Sequence, residues 1–213
     1  MAKNEIIKKF IVFEGLDGAG TTTQTELLFN RFKLFNIPCK SGCEPTRGFI
    51  GKTIRQVLSG DKKVASGTIA KLFVSDRHEH LYNHEDGILT LCEAGNYVIS
   101  DRYLFSSLAY QSLDYGFEKV LDLNSNFPLP EHLFFLDVPP KICQQRLTNR
   151  ELIEIYENSE LQDKILLNYS KALEFYSNTQ MSIHILDGTR NKYELEKIIW
   201  SKVYPSSIKI IKS

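Results

Sequence analysis

From Phe10 the chain runs through a short apolar stretch, FIVFE, into Gly15-Leu16-Asp17-Gly18-Ala19-Gly20 and then Thr21-Thr22-Thr23-Gln24. A buried strand, the spacing G-x-x-x-x-G and a helix opening on hydroxyl residues together wrap backbone N–H groups around phosphate. Glycines let the loop turn those N–H groups inward, and the helix adds the partial positive charge of its N-terminus. Gly15, Gly18, Ala19, Gly20, Thr21, Thr22 and Thr23 are therefore the candidate phosphate-binding residues. Thr22, second after the last glycine, is placed to hold Mg²⁺ through its hydroxyl. Position 21 departs from the usual pattern: Thr21 stands where a lysine ordinarily neutralises the β- and γ-phosphates. Read without a ligand, the same residues would form a tight strand-to-helix turn.

Two further groups could do chemistry. Asp101-Arg102-Tyr103 follows the strand-like NYVIS. A carboxylate at the C-terminal end of a buried parallel strand reaches the crevice where such sheets bind ligands. There Asp101 could hold Mg²⁺ through water and Arg102 could bridge two phosphates; taken alone, the two could equally be an ion pair. Phe73 and Arg77 are four residues apart, so one helix face presents an aromatic ring and a planar guanidinium, a receptor for a flat base with two carbonyls. Taken alone, Phe73 could be core and Arg77 could pair with Asp76 or Glu79 on a solvated face. His80 and His84 have i,i+4 spacing that would suit a metal. Position 82 is Tyr82, so the HExxH pattern is absent, and a polar helix face is the simpler reading.

The elements that must position these residues alternate. Strands are expected at Phe10–Glu14, Cys39–Glu44, Asn96–Ser100, Leu133–Val138 and Ile183–Leu186. Between them lie helical patterns at Thr22–Phe35, Ile50–Leu58, Gly67–Cys92 with a break near Asp86-Gly87, Ser106–Tyr115, Lys141–Arg150, Leu161–Tyr176 and Lys192–Val203. Asn124–Pro130, with two prolines, reads as a loop. Strands alternating with helices imply parallel βαβ units and an α/β sheet covered on both faces.

The string Phe13–Gly20 resembles the thymidylate kinase family, and four further blocks agree with it in order. These are Glu44-Pro45-Thr46 with Ile50-Gly51-Lys52 and Ile54-Arg55; Leu72–Arg77 with His80-Leu81; VISDRYLFSSLAYQ from Val98 to Gln111; and FFLDVPP from Phe134 to Pro140. The resemblance implies a P-loop NTPase-type three-layer fold with a five-stranded parallel sheet, one domain over residues 1–213, a small lid at about 146–160, and a homodimer. It implies transfer of the γ-phosphoryl of ATP to dTMP with Mg²⁺, giving dTDP and ADP. By resemblance Phe73 would stack on thymine, Arg77 would bond its carbonyl edge, Ser107 and Gln111 would contact the base, and Tyr110 would pack by the sugar. Arg55 and Arg102 would hold the dTMP phosphate, Asp17 would meet the sugar 3′-hydroxyl or orient Arg102, and Glu44 would sit near the metal and the acceptor phosphate. Arg146 would stack on adenine and Arg150 would reach the phosphates as a catalytic residue beside Asp17 and Arg102.

Besides Thr21, Cys43 departs from the family pattern, which has arginine before Glu44-Pro45; Arg47 is the expected replacement. The lid stretch carries Glu151, Glu154, Glu157 and Glu160, which do not make a phosphate clamp and read as a solvated helix face. Losing a charged contact to the transition state slows transfer by roughly a hundred- to a thousandfold. The alternatives are a weakened, nucleotide-binding regulatory protein derived from the kinase fold, and a deoxynucleoside kinase, which would not need Arg55 and Arg102 around an acceptor phosphate.

Composition narrows the field. The 213 residues carry 26 Lys+Arg against 26 Asp+Glu, so the cationic excess of a general nucleic-acid binder is absent. The longest apolar runs are far short of the roughly 20 residues of a membrane helix, and MAKNEIIKKF lacks a signal-type apolar stretch, so no membrane and a cytoplasmic location are expected. Cys39, Cys43, Cys92 and Cys143 form no CxxC pair and read as reduced, packed thiols.

Overall fold

The computed structural model describes residues 4–147 and 159–204. The strands β1 (Ile6–Gly15), β2 (Cys39–Cys43), β3 (Tyr97–Asp101), β4 (Leu129–Asp137) and β5 (Ser182–Asp187) form one all-parallel sheet in the order β2-β3-β1-β4-β5. The helices are α1 (Thr21–Leu34), α2 (Phe49–Leu58), α3 (Ser66–Tyr82), α4 (Ile88–Glu93), α5 (Leu104–Tyr110), α6 (Ser112–Tyr115), α7 (Phe117–Asn124), α8 (Pro140–Leu147), α9 (Ser159–Tyr176) and α10 (Lys192–Val203).

Alternation along β1 divides the core. Ile11 and Phe13 face α1 and α10 and pack with Leu28, Phe32, Leu195 and Ile199; Phe10 and Val12 face the other way, against α5 and α9 with Leu104, Phe105, Ile165 and Tyr169. Two layers of helix thus cover a sheet whose central strand, β1, is apolar on both sides over Phe10–Phe13, while the edge strands β2 and β5 are only partly covered. A smaller cluster of Ile54, Val57, Leu58, Ile69 and Phe73 joins α2 to α3. It sets Phe73 at the rim of the cleft above the sheet.

Several elements differ from expectation for local reasons. β1 starts four residues early because Ile6 and Ile7 pair with Leu129 and Pro130. The intervening Lys8 and Lys9 are taken up in a register irregularity, where Lys9 has φ 65 and both lysines bond Glu131. β4 therefore reaches back into the expected loop, with Pro130 before the point where β5 begins to pair at His132. The long helix breaks after Tyr82, where the Asn83 side-chain carbonyl accepts from the N–H groups of Glu85 and Asp86. The expected helix Ser106–Tyr115 is two, α5 and α6. The short α7, entered through Gly116 at φ 90, was not legible in the sequence. All four cysteines are free, and no helix among the described residues is long and apolar enough to cross a membrane.

Candidate active site

The C-terminal ends of β1, β3 and β4 open on a cleft of about 830 Å³, within the usual size of a small-molecule site. At one end lies the loop from Gly15 to Gly20. Gly18 has φ +88, and a Cβ there would stand 2.5 Å from the Cys143 carbonyl oxygen; Gly20 has φ +100 at the start of α1, with open space above it. These two positions require glycine, and they bring Asp17 to Thr23 onto the cleft wall. Thr21 lines the same wall and is buried, so no ammonium group enters from this position.

Thr22 donates to Asp101 Oδ2 at 2.5 Å, while Asp101 Oδ1 is buried with no protein partner. A hydroxyl beside a carboxylate with an unmet oxygen is a donor set that suits a hard cation such as Mg²⁺. Arg102 follows at φ 76, a left-handed backbone that non-glycine residues rarely adopt and that clusters at functional sites. It does not pair with Asp101: its Nη2 donates to Asp17 Oδ1 at 2.6 Å, and its guanidinium lies over the Tyr110 ring. Burial opposes its charge, but the oxygens of Tyr110, Asp17 and Tyr169 outweigh burial and hold it charged. The Tyr110 hydroxyl in turn accepts from Asp17 N.

The other end is built on α3. Arg77 is fully buried and is not on a solvated face. Its Nε and Nη2 donate to Glu44 Oε2 at 3.0 and 2.7 Å, Nη2 also donates to Ser107 Oγ, and Nη1 donates to Asn124 Oδ1. Four of its five N–H groups are thereby bonded, leaving one on Nη1. Glu44 is held from its other oxygen by His80 Nδ1 at 3.1 Å. His80 is thus turned inward to Glu44 and is not part of a solvated face, and among the described residues no group of three His, Cys, Asp or Glu side chains is placed to hold a metal. Gln111 lies one turn beyond Ser107, its N–H donating to the Ser107 carbonyl, and its Oε1 is buried without a partner. Phe73 stands one turn from Arg77 and lines the same cleft.

Between the two ends, Arg55 donates to the carbonyls of Thr46 and Pro45 and lies 3.8 Å from Cys43 Sγ. Arg55 thus lies beside Cys43, and the exposed Arg47 stands near enough for its charge to act on the same thiol. Asp76, which sequence reasoning treated only as a partner for Arg77, is buried and fixes this turn through Thr46 N and Oγ1, each at 2.6 Å. Glu44 sits with Arg77 at the base end, joined through it to Asn124, and its backbone N–H donates to the Asp101 carbonyl at 3.0 Å, which ties the base end to the Thr22–Asp101 pair.

Arg146 closes the opposite rim, donating to the carbonyls of Gly18, Ala19 and Gly188 at 3.1–3.3 Å. Arg150, Glu151, Glu154 and Glu157, with most of the expected lid, lie outside the described residues, as does the side chain of Glu160. Reasoning from the sequence missed Asn124, Ser106 and Tyr169. Ser106 lay inside the quoted 98–111 block, whereas nothing local marks Asn124 or Tyr169, which reach the site from α7 and α9.

A family model described as thymidylate kinase matches residues 13–199. A Treponema pallidum protein named as a thymidylate kinase is 41% identical over 165 residues, covering 77% of this chain and 78% of its own length. One from Methanococcus aeolicus is 35% identical over 205 residues, covering 95% of this chain and 99% of its own. One from Thermococcus kodakarensis is 39% identical over 177 residues, covering 78% and 85%.

Proposed function

The chain belongs to the thymidylate kinase family of nucleoside-monophosphate kinases, and on that premise we propose that it transfers the γ-phosphoryl group of ATP to dTMP, giving dTDP and ADP. The observation that carries the choice of acceptor is at the base end. Arg77 keeps one N–H on Nη1 unbonded among the described residues and Gln111 Oε1 is buried without a partner, and Ser107, bonded to Arg77 through its Oγ and to Gln111 through its carbonyl, joins the two residues. A donor beside an acceptor complements a base edge that offers a carbonyl and an N–H, as thymine and uracil do. Cytosine offers an amine and a bare ring nitrogen, leaving both protein groups unmet. Phe73 supplies the face on which the base stacks.

The rest of the reading follows from the cleft. Backbone N–H groups from Gly18 to Thr23 receive the donor phosphates, and Arg55 and Arg102 hold the acceptor phosphate in line with them. Asp17 keeps Arg102 charged and aimed. Thr22 and Asp101 are the residues that would hold Mg²⁺, which when bound offsets the charge on the transferred phosphoryl group. Phosphoryl transfer needs positioning and cations more than covalent chemistry. A second reading, nucleotide binding without turnover, draws on Thr21 alone.

One assay separates the readings. With ATP and Mg²⁺, dTMP is expected to be phosphorylated best, dUMP next, dCMP at least tenfold less well by the arithmetic of unmet buried polar groups, and thymidine not at all. Binding of dTMP with no dTDP formed would sink the kinase reading and leave the second. Preference for thymidine would replace both.

A further inference from the structure

One buried carboxylate has no part in the roles above. Glu14 ends the apolar run of β1, immediately before the phosphate loop, and is entirely buried. Its Oε1 accepts from Tyr103 N at 2.8 Å and Ser106 N at 3.2 Å; its Oε2 accepts from Ser106 Oγ at 2.6 Å and from the Tyr169 hydroxyl at 2.9 Å. On the far side of those two hydroxyls lies Arg102. Its Nη1 donates to Ser106 Oγ at 3.0 Å, to the Tyr169 hydroxyl at 3.1 Å and to the Gly15 carbonyl at 3.0 Å. The first residue of the phosphate loop and the arginine of the acceptor side thus meet on one cluster, reached from β1, α5 and α9.

Proton counting gives the cluster a direction. Each hydroxyl has one hydrogen. While Glu14 is ionised, four donors aim at it, so Ser106 and Tyr169 turn their lone pairs toward Arg102. Once Glu14 carries a proton, that proton must itself be donated to one of the hydroxyls, whose own hydrogen leaves the carboxylate: Tyr169 turns to the Gly15 carbonyl at 3.1 Å, or Ser106 to the Tyr169 oxygen at 2.9 Å, and either way it competes for an acceptor that Arg102 Nη1 uses. The titratable groups facing this cluster are Arg102 and Tyr169 directly, with Asp17 and Tyr110 beyond Arg102. Burial pushes the phenols of Tyr169 and Tyr110 far above neutrality, and it pushes the Glu14 carboxyl up to about 7 against the pull of Arg102 and of its hydrogen-bond donors.

We infer that Glu14, Ser106 and Tyr169 are positioning residues for phosphoryl transfer: ionised Glu14 orients two hydroxyls to hold Arg102 against the phosphate loop, and proton uptake by Glu14 releases that hold. The inference rests on the kinase reading, because the readout is turnover of dTMP. It adds a proton-linked control on kcat that the base pocket does not share.

The test measures kcat and KM for dTMP and ATP between pH 5.5 and 9 in the intact chain, Glu14→Gln and Tyr169→Phe. For the unaltered chain, kcat is expected to rise through a midpoint near neutrality. Glu14→Gln, a mimic of the protonated state, is expected to show kcat lowered about tenfold to a hundredfold at pH 8, the scale of a small misplacement of a reacting group. It should also lose that midpoint. The substrate phosphate ionises in a similar range, so the component absent from Glu14→Gln is the informative one. Tyr169→Phe should lower kcat by about tenfold. Both variants should keep the unaltered preference for dTMP over dCMP. Unchanged kcat and pH profile in Glu14→Gln overturns the inference and leaves the kinase reading intact. Loss of base preference together with kcat overturns it in favour of a general structural role. Absence of dTDP from the unaltered chain at every pH removes the kinase reading and this inference with it. If Glu14→Gln does not fold, the split between kcat and KM in Tyr169→Phe decides.

Discussion

The two ends of the cleft are built on opposite principles. At the base end Arg77 and Glu44 are 0% and 2% exposed, bonded to each other and to Asn124, Ser107 and His80 before any ligand arrives. At the phosphate end the ion pair of Arg102 with Asp17 is 18% and 23% exposed, Thr22 faces solvent, and the usual lysine is missing. A pre-bonded end discriminates, because a wrong base leaves desolvated groups unmet. A hydrated end can accept and release highly charged groups without a large desolvation penalty on each cycle. The contrast sets a desolvated, pre-bonded end against a hydrated one within a single cleft.

The sharpest way to break the contrast is to remove charge from the buried end. Arg77→Met strands the Glu44 carboxylate and the Asn124 side chain in the interior, and breaking a buried pair on one side destabilises by about 3–5 kcal/mol. Urea unfolding should show that loss. Adding Glu44→Leu should recover much of it, since replacing both partners of a buried pair is often close to neutral. The double variant should nonetheless no longer distinguish dTMP from dCMP. Loss of under 1 kcal/mol in the single variant would mean that the base end is not pre-bonded in solution.

A somewhat smaller effect comes from the carboxylate between the two ends. Glu14 is raised from 4.5 to about 7 by burial, in spite of Arg102 and its hydrogen-bond donors. Below pH 4.5 the group is protonated in folded and unfolded chains alike. Between 4.5 and 7 the unfolded chain has released the proton and the folded chain still holds it, so stability falls as pH rises, and the loss levels off above 7. The total is about 3 kcal/mol. Unfolding free energies at pH 4.5 and pH 8 should therefore differ less in Glu14→Gln than in the unaltered chain, by about that amount. Equal pH dependence in the two would show that Glu14 titrates normally.

The same two ends differ in how far they could be read from the sequence. The phosphate loop was legible because its residues are contiguous and glycine is required where φ is positive. β1, β3 and β4 were legible because buried parallel strands are plain apolar runs, although the charged Lys8 and Lys9 hid the first part of β1; β2, CKSGC, has no such run and was marked only by the prolines on either side of it. Phe73 and Arg77 could be paired by helical spacing. What Arg77 touches could not: Glu44 is 33 positions away and Asn124 is 47, at the end of a short helix of eight residues. Tyr169 lies 67 positions from Arg102. Contacts of that kind are set by how layers pack, and single-chain patterns carry no record of them. Beside Cys43 the sequence pointed to Arg47 alone; Arg55, 12 positions away, reaches the thiol as well.

The smallest expected effect bears most directly on the exposed end. Thr21→Lys restores the usual residue at the first position of α1, where the neighbouring Gly20 has open space above it. An uncompensated loop lysine would be worth roughly a hundred- to a thousandfold in kcat, so restoring it to a protein that lacked any substitute should produce a gain of that order. The cleft wall beside the loop, however, already holds other cations. Arg146 lies on the loop carbonyls, and Arg190 and Lys192 line the same cavity; the Arg190 guanidinium makes an exposed ion pair with Asp187 at 3.6 Å. Exposed pairs of that kind contribute little and are easily exchanged for a phosphate. With the charge supplied from across the cleft, the added lysine should raise kcat/KM for ATP by no more than about tenfold, well below the uncompensated figure. A gain of several hundredfold would mean that the rim cations do not reach the phosphates and that this end of the cleft is under-charged. A loss would mean that another cation already occupies the place of the lysine and is displaced by it.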